Sequence, residues 1–432
     1  MTMHIYERPD RPWIKDKSYY VAPLNYHEKV AKQRVATEGT DVSAQLYDST
    51  IRKVLLTPGL RPTIHGMVRI AELLEGTGVK HLTSNIHWWK DSQPEALEWA
   101  VAEAILKANF SFDTSITLDT AWSDDWRRGV EDLAELGMNR PVFLFQPTRE
   151  DRGNRSSEET HDRVREIMGG IKDMGLRPGL MITDAGRASW EDLVGLSRAG
   201  IEAGADLLNL TDSGSSLSHH GMKVLLNSLR RELDTDVEFL VHTHDDFGLG
   251  TPIAIETVLQ GDSIELSFNG ISDRAGFPSF EETIVCLESM YGLPSGYDMK
   301  LVSQICELVK QESIAPHPWK ALSGDHAFML DLPYSAAPAL EKGRGSFPPV
   351  WNCVDPSWLG YAPRMNWLRQ FMYGPVVEAK LRSLGLPTDE EATSEFRAVL
   401  SRELASMKEY PIWVKEEAFD ELAQLTLGER GK

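Results

Sequence analysis

The chain has 432 residues, 41% of them hydrophobic and 25% charged, a globular composition long enough for one large domain and a smaller one. A net charge of −20 argues against a nucleic-acid partner or an anionic membrane surface, and no apolar run reaches the ~18–20 residues of a membrane span. Cys286, Cys306 and Cys353 are odd in number and lack metal-site spacing, so a reducing, cytoplasmic setting is expected, and the first ten residues lack an apolar signal core.

Residues 1–43 are polar and carry Trp13, Tyr19, Tyr20 and Tyr26, which reads as an extended N-terminal arm packing on its own domain or on a partner subunit. A strand–helix rhythm then starts. Strands are expected at 44–48, 79–85, 115–118, 141–145, 178–182, 205–210, 237–241 and 263–268. Helices are expected at 64–76, 94–108, 122–136, 158–174, 190–203, 219–233, 252–260 and 281–291. Eight such units in residues 44–292 predict an α/β fold, a (β/α)8 barrel; a doubly wound sheet is the rival. The barrel is preferred because Asp48, Thr83, Asp184, Asp212, His242 and Asn269 all fall at carboxyl ends of strands, which converge on one mouth. Residues 293–432 change character. A Pro-, Gly- and aromatic-rich segment at 315–364 precedes helices expected at 367–384, 389–408 and 412–427, giving linker subdomains and a mainly helical C-terminal region.

The densest chemistry lies in Val241-His242-Thr243-His244-Asp245-Asp246-Phe247-Gly248. Alternate strand residues share a face, so His242 and His244 project side by side at a strand end. Two such imidazoles can share a divalent metal, or can hydrogen-bond without one.

Four stretches resemble the DRE-TIM metallolyase superfamily, which includes isopropylmalate, homocitrate and citramalate synthases, HMG-CoA lyase and pyruvate carboxyltransferases. Asp48-Ser49-Thr50-Ile51-Arg52 is similar to the first-strand signature Asp-x-Thr-Leu-Arg-Asp. Asp212-Ser213 resembles the strand-six Asp-Thr. His242-x-His244-x-Asp246-x-Gly248 matches the metal-binding strand. Asn269-Gly270-Ile271-Ser272-Asp273-Arg274-Ala275-Gly276 is close to the Asn-Gly-Ile-Gly-Glu-Arg-Ala-Gly run of strand eight. Gly324–Phe328 and Val354–Gly360 look like pieces of the synthases' linker subdomains, and Gly374-Pro375-Val376-Val377 through Leu384-Gly385 like the helix that follows, in the shorter homocitrate or citramalate synthase layout.

The departures fall on the metal site. Lys53 stands where the resemblance implies a metal-binding Asp, Thr83 where it implies a Glu, and Phe277 where some members place a ligand Asn. A divalent metal (Mg, Mn or Zn) held by His242 and His244 would thus lack two family ligands, and the expected cofactor is none or an unusually held ion. Three roles for Lys53 follow: a fixed cation beside Arg52 replacing the metal's charge, a Schiff-base amine, or a carbamate ligand.

The resemblance implies an enzyme, an acyltransferase (synthase) or C–C lyase, acting on a small keto or hydroxy acid with an acyl-CoA as a compatible second substrate. A decarboxylase or hydrolase on the same barrel and a non-catalytic organic-acid binder are the alternatives. Arg52, Lys53, His242 and His244 are the expected catalytic residues; Asp48, Thr83, Gln146, Arg187, Asp212 and Asn269 are expected to bind substrate. Arg149 is a looser candidate beside Gln146, and His87, Trp88 and Trp89 are open between the pocket and packing. The arm and the C-terminal helices suggest a homodimer.

Overall fold

A computed structural model describes residues 41–87, 97–147, 155–311, 329–330, 364–368, 374–406 and 413–428. Eight parallel strands close into a barrel in chain order. They are β1 (Leu46–Asp48), β2 (His81–Ile86), β3 (Asp113–Leu118), β4 (Arg140–Phe145), β5 (Gly179–Ile182), β6 (Leu207–Asp212), β7 (Glu238–Thr243) and β8 (Ser263–Leu266). Closure is made by β8 on β1, with Leu46 opposite Ile264 and Asp48 opposite Leu266. The (β/α)8 expectation holds, and the open sheet is excluded by this last ladder.

Helices cover the outside: α1 (Thr50–Leu56), α2 (Ile64–Thr77), α3 (Leu97–Ala108), α4 (Trp126–Glu135), α5 (Ser157–Asp173), α6 (Trp190–Glu202), α7 (His219–Leu233), α8 (Gly250–Gln260), α9 (Phe280–Tyr291) and α10 (Met299–Gln311). Their starts follow local chemistry. The Ser156 hydroxyl accepts from Glu159 N–H while the Glu159 carboxylate accepts from Ser156 N–H, and the hydroxyls of Ser189, Ser218 and Ser279 accept from Asp192, Gly221 and Glu282 N–H to cap α6, α7 and α9.

Three differences from the expected layout have identifiable reasons. Residues 42–45 form a 3-10 turn, because the Asp41 carboxylate accepts from Ser43 N–H and holds the chain out of the ladder until Leu46. Thr50–Leu56 is an extra helix; all seven residues are buried, so it shows no amphipathic period to read. The barrel's apolar core also extends past residue 292: Val302, Ile305 and Val309 of α10 join it, and α10 lies against α2.

The strand pleat divides the barrel interior into levels. Tyr47, Val142, Met181, Leu207 and Leu240 pack as one apolar plug, with Leu144 against it. Below the plug, at the amino ends, Tyr47 Oη donates to Glu238 at 2.7 Å and accepts from Arg140 Nη1 at 3.0 Å, while His81 stacks on the Tyr47 ring at 4.2 Å. Above it the inward positions turn polar: Ser49, Thr83, Asn85, Thr117, Thr183, Asn209, Thr211, His242, His244 and Glu265 are all buried. An apolar plug with a polar upper level above it leaves the buried polar side chains at the mouth, where chemistry sits in this fold.

The C-terminal region has its own core of Val376, Val377, Leu381, Phe396, Leu400, Leu404, Phe419 and Leu427. It is built from α11 (Gly374–Ser383), α12 (Glu390–Ser406), α13 (Glu416–Leu427) and a small sheet of β9 (Met329–Leu330), β10 (Arg364–Leu368) and β11 (Trp413–Lys415). The helix expected from residue 367 is thereby corrected. Trp367 lies on β10 opposite Val414, so pairing with β11 overrides local helical periodicity there. The expected N-terminal arm, Trp88, Trp89, Arg149, Cys353 and the motifs at 324–328 and 354–360 lie outside the described residues.

Candidate active site

The mouth is organised around a carboxylate that sequence reasoning passes over. Glu265, on β8, is completely buried. Its Oε2 accepts from Arg52 Nη1 at 3.0 Å, from His242 Nδ1 at 3.0 Å and from Ser49 Oγ at 2.7 Å; its Oε1 accepts from the Asn209 amide. Burial works to raise its pKa, but the neighbouring His242 and Arg52 and these hydrogen bonds hold it well below the usual carboxylate range. The available signal was an acid at an inward position of a strand flanked by Ile264 and Leu266, because a charge so buried has to be paired.

Glu265 fixes the His242 tautomer. With Nδ1–H donated to the carboxylate, Nε2 keeps its lone pair and accepts from Lys53 Nζ at 3.3 Å. Burial and the nearby Lys53 lower the His242 pKa to about 4 despite Glu265, so the ring is neutral at pH 7. Lys53 itself is 2% exposed. Its ammonium lies 3.9 Å from Asp273 Oδ1 and 4.3 Å from the centroid of the Phe277 ring. Burial lowers the Lys53 pKa to about 7, with Asp273 opposing and Arg52 reinforcing.

The Phe277 ring also meets His242 at 4.7 Å and His244 at 5.5 Å between centroids. His244 is buried, its Nδ1 is 3.8 Å from Asp273 Oδ1, and that nitrogen has no hydrogen-bond partner. Burial, first of all, pushes its pKa well down. Asp273 is held low against burial by His244, Arg274 and Lys53.

Arg52, Lys53, His242 and His244 therefore converge, and Phe277 joins them. Arg52 and Lys53 sit on α1 rather than on the strand itself. Thr83 reaches the same centre through a hydrogen bond with Ser49. Gln146 follows β4 in the inward phase set by Arg140, Val142 and Leu144.

The other expected substrate contacts are engaged in holding loops. Asp48 accepts from Thr50 N–H at 2.9 Å and Thr50 Oγ1 at 2.8 Å. Asp212 accepts from Ser216 N–H and Leu217 N–H, both at 2.9 Å. Asn269 donates to Cys306 O at 2.9 Å. Arg187 pairs with Asp184 at 2.9 Å. Arg274 is clamped by Asp246 and Asp273 at 3.1 and 2.9 Å and donates to Ser213 O.

The closed barrel agrees with the relatives that the chain resembles. The HMGL-like family matches residues 43–309, more than half of the sequence. The chain belongs to the HMGL-like family. It is thus a member of the DRE-TIM superfamily. Similar sequences include a putative (R)-citramalate synthase of Methanopyrus kandleri, 27% identical and aligned over 83% of this chain and 68% of that protein. A homocitrate synthase of the same organism is 26% identical over 89% of this chain and 93% of its own length. The fold matches an HMG-CoA lyase of Bacillus subtilis with a TM-score of 0.54 at 14% identity, covering 63% of this chain and 95% of the lyase. It matches the carboxyl transferase domain of Rhizobium etli pyruvate carboxylase, solved with pyruvate, with a TM-score of 0.56 at 14% identity, covering 93% and 68%.

Metal dependence is usual in this family. Among the described residues no group of three or more His, Cys, Asp or Glu side chains could hold a metal ion. The donor set around His242 and His244 fits one poorly. The His242 lone pair faces an ammonium, and the third side of the pair is the Phe277 ring.

Proposed function

We propose that this chain is an enzyme that makes or breaks a C–C bond next to a carbonyl in a small keto or hydroxy acid, with an acyl-CoA as the second substrate. In this reading Lys53 supplies the positive charge that a divalent ion supplies in typical relatives. The observation that carries it is the Lys53 Nζ–His242 Nε2 contact of 3.3 Å inside a polar barrel mouth. The names of the similar synthases support the reaction class.

The roles follow from geometry. Arg52 and Lys53 are adjacent buried cations at the end of β1 and attract a substrate carboxylate or an oxygen gaining negative charge. Arg52 has a spare donor, because its buried Nε has no hydrogen-bond partner. His242, locked by Glu265, holds the Lys53 amine in place before substrate arrives, and a substrate carboxylate beside it favours the charged form of a group whose pKa burial lowers to about 7. Phe277 gives one wall of the site a low-polarity face that excludes water and strengthens the field at Lys53.

The test is turnover of 2-oxo acids of three to six carbons, with and without acetyl-CoA, together with elemental analysis of the purified protein. The expected result is turnover that survives EDTA, with kcat reduced roughly 100- to 1000-fold in Lys53→Met, the scale of losing one preorganised electrostatic donor. One tightly held divalent ion per chain, lost in His242→Ala, would overturn the role given to Lys53. Borohydride added during turnover is expected to leave the Lys53 peptide at its native mass; a reduced adduct there would replace the ionic role with a Schiff base.

A further inference from the structure

A second charged group stands at the same mouth, on the opposite side of β1 from the histidine pair of β7. The β2–β3 ladder pairs His81 with Asp113, Thr83 with Ser115 and Asn85 with Thr117. Two residues further on, the same inward phase sets His87 beside Asp119, and the ladder persists there, since Asp119 N–H donates to Ile86 O at 3.3 Å. Asp119 Oδ2 lies 3.0 Å from His87 Nε2. On the other side His87 Nδ1 hydrogen-bonds Glu98 of α3, which also accepts from His87 N–H at 3.3 Å. Both ring nitrogens therefore face carboxylates, and the Asn85 amide nitrogen lies 3.1 and 3.2 Å from the same two atoms.

The chain Glu98–His87–Asp119 is closed at one end and open at the other. Glu98 is 1% exposed and His87 7%, whereas the Asp119 side chain keeps 13% of its surface. The second oxygen of Asp119, Oδ1, is buried and has no hydrogen-bond partner. A buried carboxylate oxygen without a donor is destabilising, and a hydroxyl brought by a ligand would satisfy it. Burial alone would neutralise His87, yet Glu98 and Asp119 outweigh it and raise its pKa.

We propose that Asp119 is the acid/base of the C–C bond reaction and that His87, anchored by Glu98, is the group that orients it. The proposal rests on the function proposed above. In the cleavage direction Asp119 Oδ1 takes the hydroxyl proton of the hydroxy acid. The O–H electron pair becomes the second C=O bond, the C–C bond breaks, and its electron pair leaves on the acyl fragment as an enolate beside Lys53 and Arg52. The protonated Asp119 then returns that proton to the enolate carbon. Synthesis runs the same steps backwards, so proton and electrons balance without any further reactant. Asp119 touches substrate and is catalytic; His87 acts through it and is a positioning residue.

The rival is a purely structural staple, in which Glu98 and His87 merely tie α3 to the end of β2. Asp119→Asn, His87→Gln and wild type discriminate when followed by turnover and by exchange of deuterium from solvent into the acyl carbon of acetyl-CoA. Asp119→Asn is expected to lower kcat about 100- to 10000-fold, the usual range for a general base, with KM changed less than about threefold and deuterium exchange abolished. His87→Gln keeps the carboxylate but removes its imidazole neighbour, so the acidic limb of kcat/KM against pH is expected to move to higher pH. Asp119→Asn that loses thermal stability yet retains kcat within about threefold overturns the proposal. Should Asp119→Asn fail to fold, an unmoved pH limb in His87→Gln overturns it equally. Wild type that turns over no acid in the panel sinks the C–C reading and the role of Asp119 together, whereas an active wild type with an active Asp119→Asn removes only the latter.

Discussion

At the scale of single residues, the mouth shows how one substitution is accommodated by its neighbours. A lysine at position 53 needs an acceptor, and His242 provides one only because Glu265 takes the Nδ1 proton. Lys53, His242 and Glu265 therefore act as one unit, and Phe277 covers it with a ring rather than with another polar group. Asp48 is a different case. It is fully buried with hydrogen bonds from Thr50, and burial raises its pKa to about 7 against those bonds. A carboxyl whose folded pKa lies above its unfolded value contributes stability at low pH and loses it as pH rises through the folded pKa. Between about pH 4 and pH 7 the unfolded chain ionises Asp48 and the folded chain does not. Stability from this group accordingly falls across that window, by at most about 1.4 kcal/mol for each step of one in pH. Asp48→Asn should flatten the slope and gain on wild type above pH 7. Urea midpoints measured from pH 4 to pH 8 check this; a constant offset at every pH would show that Asp48 is already ionised in the fold.

At the scale of elements, the short helix α1 and the loop after β8 decide the geometry. α1 starts one residue after β1 ends, and this tight turn carries Arg52 and Lys53 over the barrel axis toward β7 and β8. Thr50 Oγ1 couples the two elements, because it donates to Asp48 and accepts from Phe268 N–H. The loop from β8 to α9 is folded onto itself. Phe277 N–H donates to Gly270 O at 2.9 Å, and Gly276 has φ +108 with the Gly270 carbonyl 2.5 Å from where a Cβ would stand. Neither that dihedral nor that approach suits an L side chain. Gly276→Ala should cost roughly 1–3 kcal/mol from the dihedral alone, more with the clash, and should displace Phe277 from the histidines. A thermal melt within about 2 °C of wild type would show that the loop adapts freely.

At the scale of the whole molecule, stability and chemistry occupy opposite ends of the barrel. Arg140 is 2% exposed beneath the apolar plug, 3.5 Å from Glu238, 3.6 Å from Asp206 and 3.8 Å from Asp113. Its partners keep 21–38% of their side-chain surface, so removing Arg140 leaves carboxylates that water reaches, at about 1–3 kcal/mol for the lost hydrogen bonds and pairing. Arg140→Met should therefore lower stability on that scale in urea while leaving KM for the keto acid unchanged. A changed KM with unchanged stability would contradict the separation of the two ends. Among the described residues no helix is long and apolar enough to cross a membrane.

The sequence alone carried the strand–helix count, the eight-unit barrel, the membership argued from four motifs, and the positions of His242, His244, Arg52 and Lys53. It could do so because pleat alternation, helical period and motif order are local properties of the chain. What it left open depends on contacts between residues far apart. Glu265 is one acid between Ile264 and Leu266 until closure of β8 on β1 brings it to Arg52, 213 residues away in sequence. His87 and Asp119 become a pair only through the β2–β3 register, and Glu98 joins them only because α3 packs back over the strand end. The roles expected for Asp48, Asp212 and Asn269 likewise turned on which backbone groups lie beside them. Tertiary structure alone decides such questions, because a side chain's charge and direction are set by what burial forces it to pair with.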